Sequence, residues 1–275
     1  MKSSRDALKK TGRKGNRLPV ITLLTDFGTV DYFVGAVRGA ILSVNPLAVI
    51  ADITHEVPPQ DIEAAAFTLL ASYKTFPAGT IHLVVVDPGV GSTRRAIIVS
   101  AAKQFFVGPD NGIFTYIYDR EPSYRTFHVT AEKYFRKPTS TTFHGRDIFA
   151  PVAAALATGT PSIALGPEVS DMQRLDLPPV VREAAGLRGE VLWVDRFGNL
   201  ITNVTQEALA GFPPQDVSIS IRGVRLRGIA TAYSAVPTGE PVALVNSWGQ
   251  LEIAVRDGSA AAVFTAGVGE AVRVA

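Results

Sequence analysis

The sequence predicts an α/β protein with an N-terminal, mostly parallel sheet and flanking helices, followed by a smaller C-terminal all-β domain. Two observations carry this expectation. From Val20 to Val86, buried-strand runs alternate with helical patterns in the order β-α-β-α-β. After Gly189, only short strand candidates remain, separated by Gly, Asn and Asp.

The first strand is Val20-Ile21-Thr22-Leu23-Leu24, and it runs into Thr25-Asp26-Phe27-Gly28. A helix follows from about Asp31 to Val44, with Phe33, Val34, Val37, Ala40, Ile41 and Leu42 near helical spacing, and Asn45-Pro46 stops it. A second strand, Ala48 to Ile53, leads into a polar loop from His55 to Gln60, and Asp61 is placed to cap a helix to about Tyr73. Thr80 to Val86 reads as the third strand. Further strands are expected at 96–101, 104–107 and 123–129, and a helix from about Asp147 to Thr158. Leu177-Pro178-Pro179 reads as a linker, so the expected domains are 18–180 and 188–275. The β domain draws on 190–194, 217–221, 242–245, 251–255 and 271–274, as a barrel or sandwich.

Composition excludes several classes. There is no cysteine, so disulfides, zinc-thiolate sites and cysteine nucleophiles are impossible. The four histidines, His55, His82, His128 and His144, include no H-x-x-x-H pair, and no metal site is expected. No apolar run reaches the roughly 18 residues of a membrane span. Residues 1–17 hold seven basic side chains against one acid, Asp6, and leave the rest of the chain net negative. This tail reads as a solvated, disordered terminus rather than a nucleic-acid arm, and it lacks the apolar core of a secretory signal. A cytoplasmic protein that binds neither membrane nor nucleic acid is expected.

In an open parallel sheet, ligands bind at the carboxyl ends of the strands. Three polar clusters fall at such ends: Asp26 with Asp31 beyond it, Asp87 in Val86-Asp87-Pro88-Gly89-Val90-Gly91, and Gly108-Pro109-Asp110-Asn111-Gly112. The Gly89-Val90-Gly91 loop lacks a P-loop lysine and follows an acid that repels phosphate. Asp26-Phe27-Gly28 has no kinase catalytic loop before it. Phe143-His144-Gly145-Arg146-Asp147 precedes a helix and brings an imidazole and a guanidinium to its start. The runs 195–203 and 246–252 combine aromatics with amides, which suit an adenine edge or an amino-acid end group, or else close hairpin turns.

Five segments in order, TDFGTVD, DPGVGSTRR, FHGRD, DRFGNLITN and NSWGQLEIA, resemble the S-adenosyl-L-methionine (SAM) hydrolases, also called SAM hydroxide adenosyltransferases, relatives of the fluorinases and chlorinases. The resemblance covers about residues 19 to 275. It implies an α/β domain with a C-terminal β-barrel, and a homotrimer with SAM held between subunits. It implies that Asp87, Arg94 and His144 order and activate a water. The halogenases carry Tyr at the positions of Asp87 and His144 and Ser at that of Gly145, so hydroxide rather than halide is the expected nucleophile. It further implies that Asp26 accepts the ribose hydroxyls and Asp31 pairs with the methionine ammonium. Phe197 and Asn199 meet adenine, Tyr233 stacks on it, and Asn246 and Ser247 lie near the methionine end. Phe143 joins the substrate-binding set. Gln60 and Trp248 replace a halogenase Trp and Arg, whose roles do not carry over.

The expected reaction is in-line attack of water on ribose C5′, giving adenosine and methionine with no metal or redox cofactor. Arg94 stays charged and is no base; either Asp87 or a neutral His144 takes the proton. Two other readings stand beside it: a metal-dependent hydrolase built on Asp26, Asp31, Asp87 and His144, and a module that binds SAM or adenosine without turnover.

Overall fold

A computed structural model describes residues 19–275; the basic run 1–17 lies outside the described residues. The chain divides into two compact units, one ending at Leu175 and the other spanning Asp176–Ala275.

The first unit is a seven-stranded sheet in the order β2-β1-β3-β5-β4-β6-β7, from β1 (Val20–Thr25), β2 (Val49–Thr54), β3 (Ile81–Val85), β4 (Ala96–Ala101), β5 (Gln104–Pro109), β6 (Tyr124–His128) and β7 (Glu168–Val169). The ladders β1–β2, β1–β3 and β3–β5 are parallel, and β4, β6 and β7 extend the sheet with antiparallel pairings. The two residues between β4 and β5, Ala102 and Lys103, both have positive φ. This is the backbone of a tight hairpin, made without Gly or Asn.

Helix α1 (Phe33–Val44) starts two residues later than the periodicity suggests, because Asp31 and Tyr32 belong to the entry turn. Helix α2 (Ile62–Ser72) has Asp61 as its N-cap, its carboxylate accepting from Ala64 N–H. A short helix α3 (Thr115–Arg120), not foreseen, follows β5. The fully buried α4 (Ala150–Ala157) is preceded by a π-helical turn at Gly145–Phe149, where Ala150 N–H reaches Gly145 C=O. The core packs α1 and α4 on one sheet face through Val37, Ile41, Val152 and Leu156.

The second unit is an eight-stranded antiparallel sheet curled into a nearly closed barrel. Its strands are β8 (Val181–Glu183), β9 (Gly186–Val194), β10 (Leu200–Thr205), β11 (Ser218–Ile221), β12 (Val224–Arg227), β13 (Pro241–Val245), β14 (Gln250–Val255) and β15 (Ala271–Val274), with a short helix α5 (Ala260–Phe264). The path runs β12-β11-β15-β9-β10-β14-β13, with β8 on β9. Ala230, just past β12, bridges to Leu244 in β13 and brings the two ends of the path together. Strand β10 begins inside the polar run 195–203. Its amide and hydroxyl are structural: Asn203 accepts from Glu190 N–H and donates to Pro178 C=O, and Thr202 donates to Leu251 C=O.

Candidate active site

Parallel pairing of β1, β3 and β5 places Thr25-Asp26, Val86-Asp87 and Asp110-Asn111 at one rim of the first unit. Strand β4 runs the other way, so its leading residues, Arg94 and Arg95, return to that same rim.

An open cleft of about 370 Å³ lies there, lined by Asp26, Phe27, Gln60, Asp87, Phe143 and His144 among others. Its apolar wall is an aromatic cluster: Phe143 meets Phe27 and Phe33 edge-on, at ring centroids 5.8 and 5.4 Å apart. The importance of Phe27 and Phe33 was not read from the sequence, although Phe27 sits between the two residues that marked the first motif.

Arg94 joins the polar groups. Its Nε donates to Asp87 Oδ1 at 2.8 Å and its Nη2 to Asp87 Oδ2, while Nη2 also faces His144 Nδ1 at 2.8 Å. The guanidinium lies over the Phe149 ring, 5.2 Å from its centroid. Both side chains of the ion pair are nearly buried, at 10% exposure for Arg94 and 6% for Asp87. The loop that carries Asp87 is pressed against the strand of chain before His144. Gly91 has φ +78°, and a Cβ there would collide with the Thr141 carbonyl, so glycine is required.

A guanidinium only donates, so the imidazole nitrogen facing it must offer a lone pair. In the neutral ring the proton then sits on Nε2. Burial, and next the charge of Arg94, hold the His144 pKa below the ordinary 6.5. Both effects favour the neutral ring.

Asp147 is fully buried. Its carboxylate takes two bonds from Arg146, one from Arg136 and one from Ser140 N–H, and so staples 136–140 to the π-helical turn. The third polar cluster is structural too: Asp110 pairs with Arg95 and accepts from Gln173 N–H, and Asn111 donates to Val86 C=O. Asp31 is exposed and outside the cleft lining.

In the second unit, Phe197, Asn199 and Tyr233 line a cleft of about 740 Å³. Asp195 shapes its rim, accepting from Phe197 and Asn199 N–H and from the Asn199 side chain. Phe197 is 75% exposed. The Tyr233 hydroxyl donates to the buried Glu252, a carboxyl the sequence reading passed over; burial raises its pKa above the ordinary value. Asn246 and Ser247 do not line this cleft; Asn246 instead accepts from Trp248 and Gln250 N–H in the β13–β14 turn. Among the described residues no three His, Asp or Glu side chains gather as a metal site, and no helix is long and apolar enough to cross a membrane.

A carboxylate, a guanidinium and an imidazole thus meet at an open cleft, with no Ser, Thr or Cys side chain among the three. Models of the N- and C-terminal domains of SAM hydroxide adenosyltransferases match residues 21–166 and 189–273. The chain belongs to the SAM hydroxide adenosyltransferase family. It is 40% identical to a protein of Thermus thermophilus named (R)-S-adenosyl-L-methionine hydrolase, over 87% of this chain and 93% of that one. A fluorinase of Actinoplanes is more distant, at 28% identity over 87% of this chain and 91% of its own. A crystal structure of an uncharacterized conserved protein from Thermotoga maritima superposes with a TM-score of 0.87 at 37% identity, covering 93% of this chain and 99% of that one.

Proposed function

We propose that this chain hydrolyses S-adenosyl-L-methionine to adenosine and L-methionine. Relatives at 34–40% identity bear the hydrolase name. The observation that carries the mechanism is the contact of Arg94 with both Asp87 and His144 Nδ1.

Water attacks ribose C5′ as the C5′–S bond breaks, and the bonding pair leaves with sulfur as a neutral thioether. The attacking water must lose a proton. His144 Nδ1 already accepts from Arg94, and Nε2 carries hydrogen, so the imidazole donates to the water oxygen and orients it. Asp87 is therefore the proton acceptor: each carboxylate oxygen accepts one bond from Arg94 and keeps a further lone-pair site. Bulk water has a pKa near 15.7, far above a carboxylic acid, so the proton moves as the C–O bond forms rather than beforehand. In-line positioning lowers the barrier by several kcal/mol more. Asp26 accepts the ribose hydroxyls, Phe143 contributes to the wall of the substrate site, and Phe197, Asn199 and Tyr233 take adenine. Asp31 meets the ammonium, and Asn246 and Ser247 the methionine end.

The proposal includes a homotrimer with sites between subunits. The exposed Phe197 and the half-exposed Tyr233 support it, since bare aromatic rings around a cleft mark a surface that is covered in use. Sedimentation at three times the 29.3 kDa chain mass is expected, and a monomer active at all dilutions would overturn it. A cytoplasmic location belongs to the same reading, and cell fractionation tests it.

Incubation with SAM in ¹⁸O-water is expected to place the label in the adenosine 5′-hydroxyl. Adenosine without label, or no adenosine, would overturn the reaction.

The His144 assignment predicts a pH dependence. Its depressed pKa keeps the ring neutral down to pH values below 6.5, so the acid limb of kcat/KM falls below that value. In ¹⁵N–¹H spectra at pH 7, Nδ1 is expected unprotonated and Nε2 protonated. A proton on Nδ1 at pH 7 contradicts the donor role.

A further inference from the structure

A second chain of polar side chains runs beneath the cleft without lining it. Thr25 Oγ1 lies 2.8 Å from His55 Nδ1, and Phe27 N–H donates to Thr25 Oγ1 at 3.3 Å. His55 Nε2 lies 3.2 Å from Asp52 Oδ1, an ion-pair distance outside hydrogen-bond alignment, and Arg38 pairs with the other Asp52 oxygen. Thr25 is 1% exposed and His55 5%.

The directions are mutually consistent. In the neutral ring, an unprotonated Nε2 would set a lone pair against a carboxylate, so the tautomer with hydrogen on Nε2 and an accepting Nδ1 is the one that fits. The Thr25 hydroxyl then donates to Nδ1, and its oxygen is left to accept from Phe27 N–H. The order Thr-His-Asp looks like a nucleophile relay, but a buried hydroxyl engaged on both sides is no nucleophile. What the chain reaches is the backbone on either side of Asp26. Two backbone bonds tie the same loops together, Gly28 N–H to His55 C=O at 2.8 Å and Val57 N–H to Thr25 C=O at 3.4 Å. Asp26 itself accepts from Gln60 N–H through Oδ2, at the far end of the His55 loop.

We infer that His55 is a positioning residue: through Thr25 and the two joined loops it fixes where Asp26 presents its carboxylate to the ribose diol. This rests on the proposed role of Asp26. Asp52 and Arg38 anchor the outer end. Burial opposes ionisation of Asp52, but the bond from Arg38 and the polar groups of Arg38 and His55 facing it outweigh that and lower its pKa.

The test uses affinity rather than turnover: calorimetric binding of adenosine against 2′,3′-dideoxyadenosine to the full-length protein. The wild type is expected to prefer adenosine by roughly 10-fold or more, the scale of hydrogen bonds to a charged group. Thr25→Val keeps shape and removes the hydroxyl, and His55→Leu removes both ring nitrogens; each is expected to cut that preference to about 3-fold or less. His55→Gln restores an acceptor and a donor at the two ends and is expected to recover most of it. A general loss of stability weakens both ligands alike and leaves the ratio unchanged. If Asp26→Ala abolishes the preference while Thr25→Val and His55→Leu retain it in full, the inference is overturned. If Asp26→Ala also retains it, the ribose assignment itself falls.

Discussion

Asp87→Ala and His144→Ala are each expected to lower kcat by about 10²-fold or more, the lower end of general acid–base effects, with SAM affinity held within a few-fold. The two losses have different origins. In the proposed mechanism, removing Asp87 takes away the acceptor for the water proton, and Arg94 loses the partner that both its Nε and Nη2 address. Removing His144 leaves the carboxylate and guanidinium, but in that mechanism takes away the N–H that orients the water. Asp87→Asn separates charge from shape, keeping the side chain's volume while turning one acceptor into a donor. Steady-state kinetics with direct SAM binding decides the matter. Turnover near wild type in both alanine variants removes the triad from the mechanism.

Arg95→Ala is expected to cost about 3–5 kcal/mol of stability, the usual result of leaving a buried charge without its partner. Asp110 is the charge left behind: its side chain is 2% exposed, and Arg95 lies 2.6 Å from it. The same guanidinium clamps residue 171 by bonds to both its carboxylate and its carbonyl. For a unit of this size the loss corresponds to a fall in Tm of roughly 10 °C. The kcat per folded molecule is expected to stay unchanged. A melting temperature near wild type, or a specific loss of kcat, contradicts a structural role. Arg94 and Arg95 are thus neighbours in sequence with separate tasks, one at the cleft and one holding the rim.

That division was not legible in the sequence. Asp26, Asp87 and Asp110 all follow strands and all end at one rim, as the β-α-β order implied. Which of them had a partner depended on β4 running antiparallel. Its hairpin to β5 turns through Ala102 and Lys103, both at positive φ, where Gly or Asn would have announced the turn. The strand was foreseen and its direction was not. Strand β10 was hidden for another reason: Thr202 and Asn203 are buried with their hydrogen bonds satisfied inside the barrel, so a polar stretch served as a strand. The place of Asp87 at the rim was legible from its strand, and its meeting with Arg94 and His144 was expected from the family motif alone. The Arg94–His144 contact, on which the proposed choice of base rests, needed the geometry. Asp195 and Glu252, which set the second cleft's loop and its tyrosine, gave no signal beyond lying inside recognised segments.

The π-helical turn at Gly145–Phe149 fits one residue more into its circuit than an α-helical turn holds. It therefore acts as a phase setter: the azimuth of His144 about the helix axis depends on how many residues lie between it and α4. Shortening the segment by one residue would leave the apolar face of α4 in register with the sheet and swing the imidazole by about 100°, away from Arg94. The angular offset between the buried helix and its leading histidine is written in the chain as a residue count.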